Sequence, residues 1–290
     1  MRLIVVPLSV KTSMVYCQKL ALPAARQTPR IDDKLVARAA KTWGEWQKSD
    51  SKLKKTIISW ANIALERISY EEWSLKTIPA QSSIKRKVVE ANSKVNESDP
   101  HHVTHAEFEK HELENSDLES IPVIFPSSIL DRHQVTSRLQ ALASRGINHH
   151  TKYMWMSAIG APLTLPVALL PVIPNLPGFY LLFRAWSNWK AVEGGKHLNY
   201  LLKNDHLSYH DDARLSQLFT QLKNHSENVA ETENPDKETA QSVANDSDQL
   251  LLDEEHINEL VNILGAKEMA PELHRAVRQI KKKFQSDIKN

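Results

Sequence analysis

Cysteine is almost absent: Cys17 is the single thiol in 290 residues. One thiol excludes an intrachain disulfide and any cysteine-based zinc cluster, so a secreted, disulfide-stapled fold is ruled out and a reducing compartment is expected. Glycine is also scarce, with 7 in the chain, and none stands in a G-x-G-x-x-G or G-x-x-x-x-G-K-[ST] arrangement. That removes the common nucleotide-binding α/β enzymes. Neither sign of charge dominates, with 37 Lys and Arg against 35 Asp and Glu. A nucleic-acid binder normally carries a strong basic excess, so no nucleic-acid partner is expected. Sequences of the G-x-S-x-G, H-E-x-x-H and C-x-x-C kinds are missing too, and neither catalytic residues nor a cofactor or metal centre is expected. His206 and Asp211 have the spacing of some acyl-transfer pairs. On a continuous helix, though, five steps put them about 140° apart, so they do not converge.

What the chain does have is a long charge-free run. No charged residue lies between Tyr153 and Phe183, although a quarter of the chain is charged. About 20 apolar residues suffice to cross a bilayer. Amphipathic aromatics flank the run, Tyr153 and Trp155 on one side and Trp186 and Trp189 on the other, as headgroup-level rings do. Pro162, Pro166, Pro171, Pro174 and Pro177 interrupt it, each removing a backbone donor. Tyr153–Leu170 is therefore expected to form a kinked apolar helix just long enough to cross, with Pro171–Gly178 as a turn. Basic residues on both sides leave one crossing and a returning hairpin equally open. The candidate turn and partner contacts are Pro171, Pro174, Asn175, Pro177, Gly178, Phe179, Tyr180 and Arg184, the arginine being placed to reach headgroup phosphates or a partner carboxylate. A buried hairpin in a water-soluble protein is the plainer alternative.

The first thirty residues hold five basic side chains and no acid, a composition that mitochondrial import favours, although RLIVVPLS reads as a short strand. A tryptophan-rich helical block follows over 31–79, with stripes at Leu35, Ala39, Trp43 and Trp46 and at Leu53, Ile57, Trp60, Ala64 and Ile68,. Ser69 with Glu72 has capping-box spacing. Residues 80–120 and much of 206–249 are acidic and polar and read as linkers; His101, His102, His105 and His111 fall in the first of them. Residues 121–205 form the membrane-associated helical region, and 206–249 a helix followed by the acidic linker. At 250–290 a helical hairpin is expected, with Ile257, Leu260, Val261 and Leu264 on one helix, Gly265 as its stop, and Leu273, Val277, Ile280, Phe284 and Ile288 on the other. The expected fold class is thus mainly α: a helical membrane-associated protein with a proline-broken apolar segment, one kinked crossing or a hairpin, and polar linkers.

The segments RLIVVPLS, TWGEWQKSDSKLKK, SYEEWSLKTIP and PNLPGFYLLFRAWSNWKAVEGGKHLNYLL together resemble the mitochondrial potassium–proton exchange-related proteins of fungi. The similarity covers roughly Met1–Pro79 and Ile121–Leu202. It implies a protein of the mitochondrial inner membrane, needed for potassium–proton exchange and working with other subunits of a larger complex, and it supplies no catalytic residues. Inner-membrane lipids are the other expected partner. Exchange needs a titratable group near the midplane and several helices that switch access. No acid lies between Asp131 and Glu193, so an accessory or regulatory subunit is expected, with a membrane adaptor as the alternative.

Overall fold

The computed structural model describes residues 1–18, 38, 41, 44–46, 48–81, 120–164, 166, 176–233 and 248–288. The chain forms two units, Leu20–Ser69 on its own and Met1–Lys19 with Tyr70–Asn290. In the smaller unit, helix α1 (Lys52–Glu66) half-buries Ile57 and Ala64 of the expected stripe. Leu35, Ala39 and Trp43, and the side chains of Leu53 and Trp60, lie outside the described residues.

The larger unit is built on a four-stranded sheet, which corrects the expectation of a mainly helical chain. Strands β1 (Arg2–Pro7), β2 (Ser13–Gln18), β3 (Ile121–Phe125) and β4 (Leu207–Asp211) lie in the order β2-β1-β3-β4. β1 and β2 form an antiparallel hairpin, while β1–β3 and β3–β4 are parallel. RLIVVPLS is thus a strand in the middle of the sheet. Alternate residues of β1 point to opposite faces, as the two-residue period of a strand requires. Leu3 and Val5 enter one core, Ile4 and Val6 the other. Strands covered on both sides read as short continuous apolar runs.

One face is covered by α5 (Ala213–Glu233), α6 (Ile257–Leu264) and α7 (Ala270–Ile288). Leu215, Leu218 and Phe219 of α5 are fully or almost fully buried there, the i, i+3, i+4 stripe of an amphipathic helix. Ile257, Leu260, Val261 and Leu264 are the buried residues of α6, and Gly265 ends it at φ 60°, where glycine carries no Cβ penalty. Leu273, Val277 and Ile280 bury their side chains from α7. The C-terminal hairpin therefore spends its apolar stripes on this chain's own sheet.

The other face meets α3 (Arg132–Leu163) and α4 (Leu176–Lys203), a long antiparallel hairpin that forms the crossover between β3 and β4. Asp131 starts α3 with a capping box: its carboxylate accepts from the Gln134 N–H at 2.7 Å, and its own N–H donates to Gln134 Oε1 at 3.2 Å. Only the sheet-proximal ends, Val135, Leu139 and Ala143 on α3 and Ala191, Leu198 and Leu201 on α4, join the core. Helix α2 (Tyr70–Thr77) lies along β2, where the Ser74 and Thr77 hydroxyls accept from the N–H groups of Val15 (3.2 Å) and Cys17 (3.0 Å). An open sheet edge is thereby capped.

Among the described residues no helix is long and apolar enough to cross a membrane. This overturns the crossing expected of Tyr153–Leu170. The helix that holds Tyr153 begins at Arg132, carries Arg138, Arg145 and Lys152 along the way, and ends at Leu163. Of the charge-free run, Tyr153–Leu163 ends α3 and Leu176–Phe183 begins α4. Residues 206–211 also differ from the helix expected: the His206 ring lies tilted beside that of Tyr200, centroids 5.8 Å apart, and Asp211 ends β4 by accepting from the Ser127 N–H at 2.8 Å.

Candidate functional site

The distal half of the hairpin is unlike the rest of the surface. Among the described residues, ten of the twelve exposed large hydrophobic side chains lie between Tyr153 and Trp189. Trp155 is 59% exposed, Ile159 65%, Leu163 77% and Phe179 66%. Single exposed apolar residues are ordinary, but a continuous cluster marks an interaction surface.

The two arms are held in register by polar bonds at the root of this surface. His150 Nδ1 lies 2.8 Å from Asn188 Oδ1, and the Asn188 amide donates to the Arg184 carbonyl at 2.7 Å. Aromatic and cationic groups mingle at the same level. Lys190 Nζ stands 5.7 Å from the ring centroid of Trp186 and 5.2 Å from that of Trp189, and His149 packs on Tyr153 at 4.5 Å.

α2 contributes a carboxylate to the inner side. Glu72 is 2% exposed and forms a two-pronged pair with Arg184, 17% exposed, both bonds being 2.9 Å. The Ser187 hydroxyl donates to Glu72 Oε1 at 2.7 Å, and Lys76 Nζ donates to that hydroxyl at 2.8 Å. Burial alone would raise the Glu72 pKa; the bonds from Arg184 and Ser187, with the charges of Arg184 and Lys76, outweigh it and hold the carboxyl below its ordinary value,. Burial pushes the Lys76 ammonium down, against the attraction of Glu72.

Of the residues read as turn and partner contacts, Phe179, Tyr180 and Pro177 are exposed and Gly178 is buried. Pro177 occupies the first turn of α4, where a missing N–H is tolerated. Pro171, Pro174 and Asn175 lie outside the described residues, as do His101, His102, His105 and His111. Tyr153, Trp155 and Trp189 are exposed, with Trp186 half-buried. Arg184 points inward to Glu72 and not to headgroups or a partner carboxylate. Glu72 was legible only as the capping partner of Ser69. Its carboxylate turns to α4, 112 residues away, which no local pattern signals. Among the described residues no group of His, Cys, Asp and Glu could hold a metal ion.

Two buried histidines give a pH prediction. Burial lowers the pKa of His150, the Asn188 bond and the Glu72 charge opposing it and His149 and Arg184 adding to it; burial also lowers that of His197, whose Nδ1 lies 2.7 Å from the Pro79 carbonyl. Below the ordinary value of 6.5 the unfolded chain takes up protons that the folded rings resist, so stability falls as pH drops through that window. The urea midpoint is expected to be lower at about pH 5.5 than at about pH 7.5. A chain carrying His150→Gln and His197→Gln should lose most of that slope; an unchanged slope would assign it to other groups.

The architecture defines a class: an α/β body with an apolar helical hairpin raised on one face of its sheet. The chain belongs to the mitochondrial K+-H+ exchange-related family, whose model matches residues 2–202, from β1 through all but the last residue of α4. It is similar to an uncharacterized protein of Saccharomyces cerevisiae, 26% identical over 277 residues, which is 95% of this chain and 83% of that protein. A second relative, an uncharacterized protein of Schizosaccharomyces pombe, is 30% identical over 223 residues, 76% of this chain and 84% of its own. No solved structure matches.

Proposed function

We propose that this protein is an accessory or regulatory component of potassium–proton exchange at the mitochondrial inner membrane, acting within a larger complex and not itself carrying the ions. The observation that carries the reading is the family match over residues 2–202, which encloses the hairpin with its exposed apolar end. The chemistry of that hairpin favours an accessory role. A proton–cation coupling site needs a titratable acid at membrane depth. Among the described residues, the acid bonded to the hairpin beside its exposed end is Glu72, and it is committed to Arg184 and Ser187.

Deleting the gene should slow the swelling of isolated mitochondria in potassium acetate, and nigericin, an artificial exchanger, should restore it. The purified chain in liposomes should show no exchange. Normal swelling after deletion would leave a membrane adaptor without a transport role as the reading, and robust exchange by the single chain would overturn the accessory role.

A further inference from the structure

We propose that the distal half of the α3–α4 hairpin is a monotopic anchor, burying itself in one leaflet of an anionic phospholipid bilayer without crossing it. The proposal deepens the reading above by naming the partner of its surface, and rests on that reading only for which membrane is met.

The exposed apolar residues occupy a wide arc of both helices. At 100° per residue, Tyr153, Trp155, Met156, Ile159 and Leu163 span about 160° of α3, and Phe179, Tyr180, Leu182 and Phe183 span about 160° of α4,. The remaining arcs face the opposite helix and, at Arg184 and Ser187, helix α2. A protein partner covers one side of such a hairpin, whereas lipid covers all of it. A helix that is apolar nearly all round is matched to a core or a membrane.

Over the described residues of α3 the length matches one leaflet. From Lys152, the last charge of α3, to Leu163 is about 17 Å at 1.5 Å per residue, against about 15 Å for half of a hydrocarbon core. Lys152, Lys190, Tyr153 and Trp189 then come to rest at headgroup level, where amphipathic rings and long cationic side chains are favoured.

Charge selects the lipid. The two helices carry eight Lys and Arg against the single acid Glu193; Arg184 is taken up by Glu72 and Lys196 by Glu193, while Lys152 and Lys190 flank the exposed end. α3 holds no acid at all. Anionic headgroups complement that excess; a second copy of the hairpin would meet like charge.

The test is flotation of the full-length protein with vesicles of phosphatidylcholine, with or without phosphatidylglycerol as the minority lipid. Binding is expected with the anionic vesicles and should weaken with added salt. Trp155→Asp with Phe179→Asp should lower partition roughly a hundredfold. Lys152→Gln with Lys190→Gln should lower it roughly tenfold. All four positions are at least partly exposed, and an unchanged urea midpoint shows that the variants fold. For depth, Cys17→Ala removes the native thiol and Leu163→Cys introduces one. An impermeant maleimide outside the vesicles should label this thiol in free protein and not in bound protein, and a maleimide enclosed in the lumen should not label it.

No flotation of the wild type, flotation unaffected by the aspartates, equal binding to neutral vesicles, or labelling from the lumen would each overturn the proposal. So would a dimer or a protein complex that depends on the hairpin in place of vesicle binding. A failed swelling assay with intact flotation counts against the exchange reading alone, and a swelling defect without flotation counts against this proposal alone.

Discussion

Arg184→Ala is expected to destabilise the protein by about 3–5 kcal/mol, the loss typical when one partner of a buried pair is removed. Glu72 is left 2% exposed, without either of its two 2.9 Å bonds to Arg184. Glu72→Ala should cost a similar amount, because Arg184 and Lys76 then face each other with no carboxylate between them. Replacing both, as Glu72→Leu with Arg184→Met, should regain most of the loss, since a buried pair and its apolar replacement are often close in energy. Urea unfolding followed by circular dichroism gives the three midpoints and, through the double-mutant cycle, the coupling. The sign with pH follows from the carboxyl's lowered pKa: its contribution is full above the ordinary value of 4.5 and is lost as pH falls through the lower folded value,. Should both single variants unfold at the wild-type midpoint, Arg184 would be free for the headgroup or partner role that its place in the sequence suggests.

The elements readable beforehand were those whose signal is local. RLIVVPLS pairs as β1, and Ile257, Leu260, Val261 and Leu264 are the buried stripe of α6. The charge-free run was also visible, and its prolines divided it into a helix and a turn, but the helix was expected over Tyr153–Leu170 and runs over Arg132–Leu163. The capping box that starts it lies at Asp131, well before the run begins. Strands β2, β3 and β4 are five or six residues long. SMVYCQ lay within the acid-poor start, Pro122 weakens IPVIF as a strand, and LSYHD has too few apolar residues to alternate. Outside the β1–β2 hairpin the pairing partners lie 86 to 120 residues apart, so the sheet arises from long-range burial that local periodicity does not encode. The candidate surface divides in the same way. Trp155 and Phe179 stood out in the sequence as aromatics flanking the apolar run and are exposed, whereas the inward turn of Arg184 depends on α2, which arrives from a distant part of the chain.

That arrival explains the paired glycines of the AVEGGKHL segment and gives the second large effect, Gly194→Ala. In an exposed helix a glycine-to-alanine change gains about 1 kcal/mol, because alanine loses less backbone entropy on folding. Here the sign should reverse. A β-carbon on Gly194 would overlap the Leu75 carbonyl oxygen and stand 2.9 Å from that of Ile78. Both obstacles are backbone, so no rotamer change relieves them, and α2 must lift away from α4. Leu75 and Ile78 are buried in the core between sheet and hairpin, and the Pro79 carbonyl is bonded to His197 one helical turn along from Gly194. Lifting α2 therefore loosens the Glu72–Arg184 pair and the cap on β2 together. A net loss of about 3 kcal/mol is expected, at the upper end of the usual cost of overpacking. Gly146→Ala and Gly195→Ala provide the comparison, since their β-carbons meet the side chains of Leu75 and Ile147, which can shift where a backbone carbonyl cannot. The expected order of urea midpoints is wild type highest, Gly146→Ala and Gly195→Ala intermediate, and Gly194→Ala lowest. A midpoint for Gly194→Ala at or above wild type would show that α2 does not pack on α4 in this way, and the buried pair would lose its frame with it.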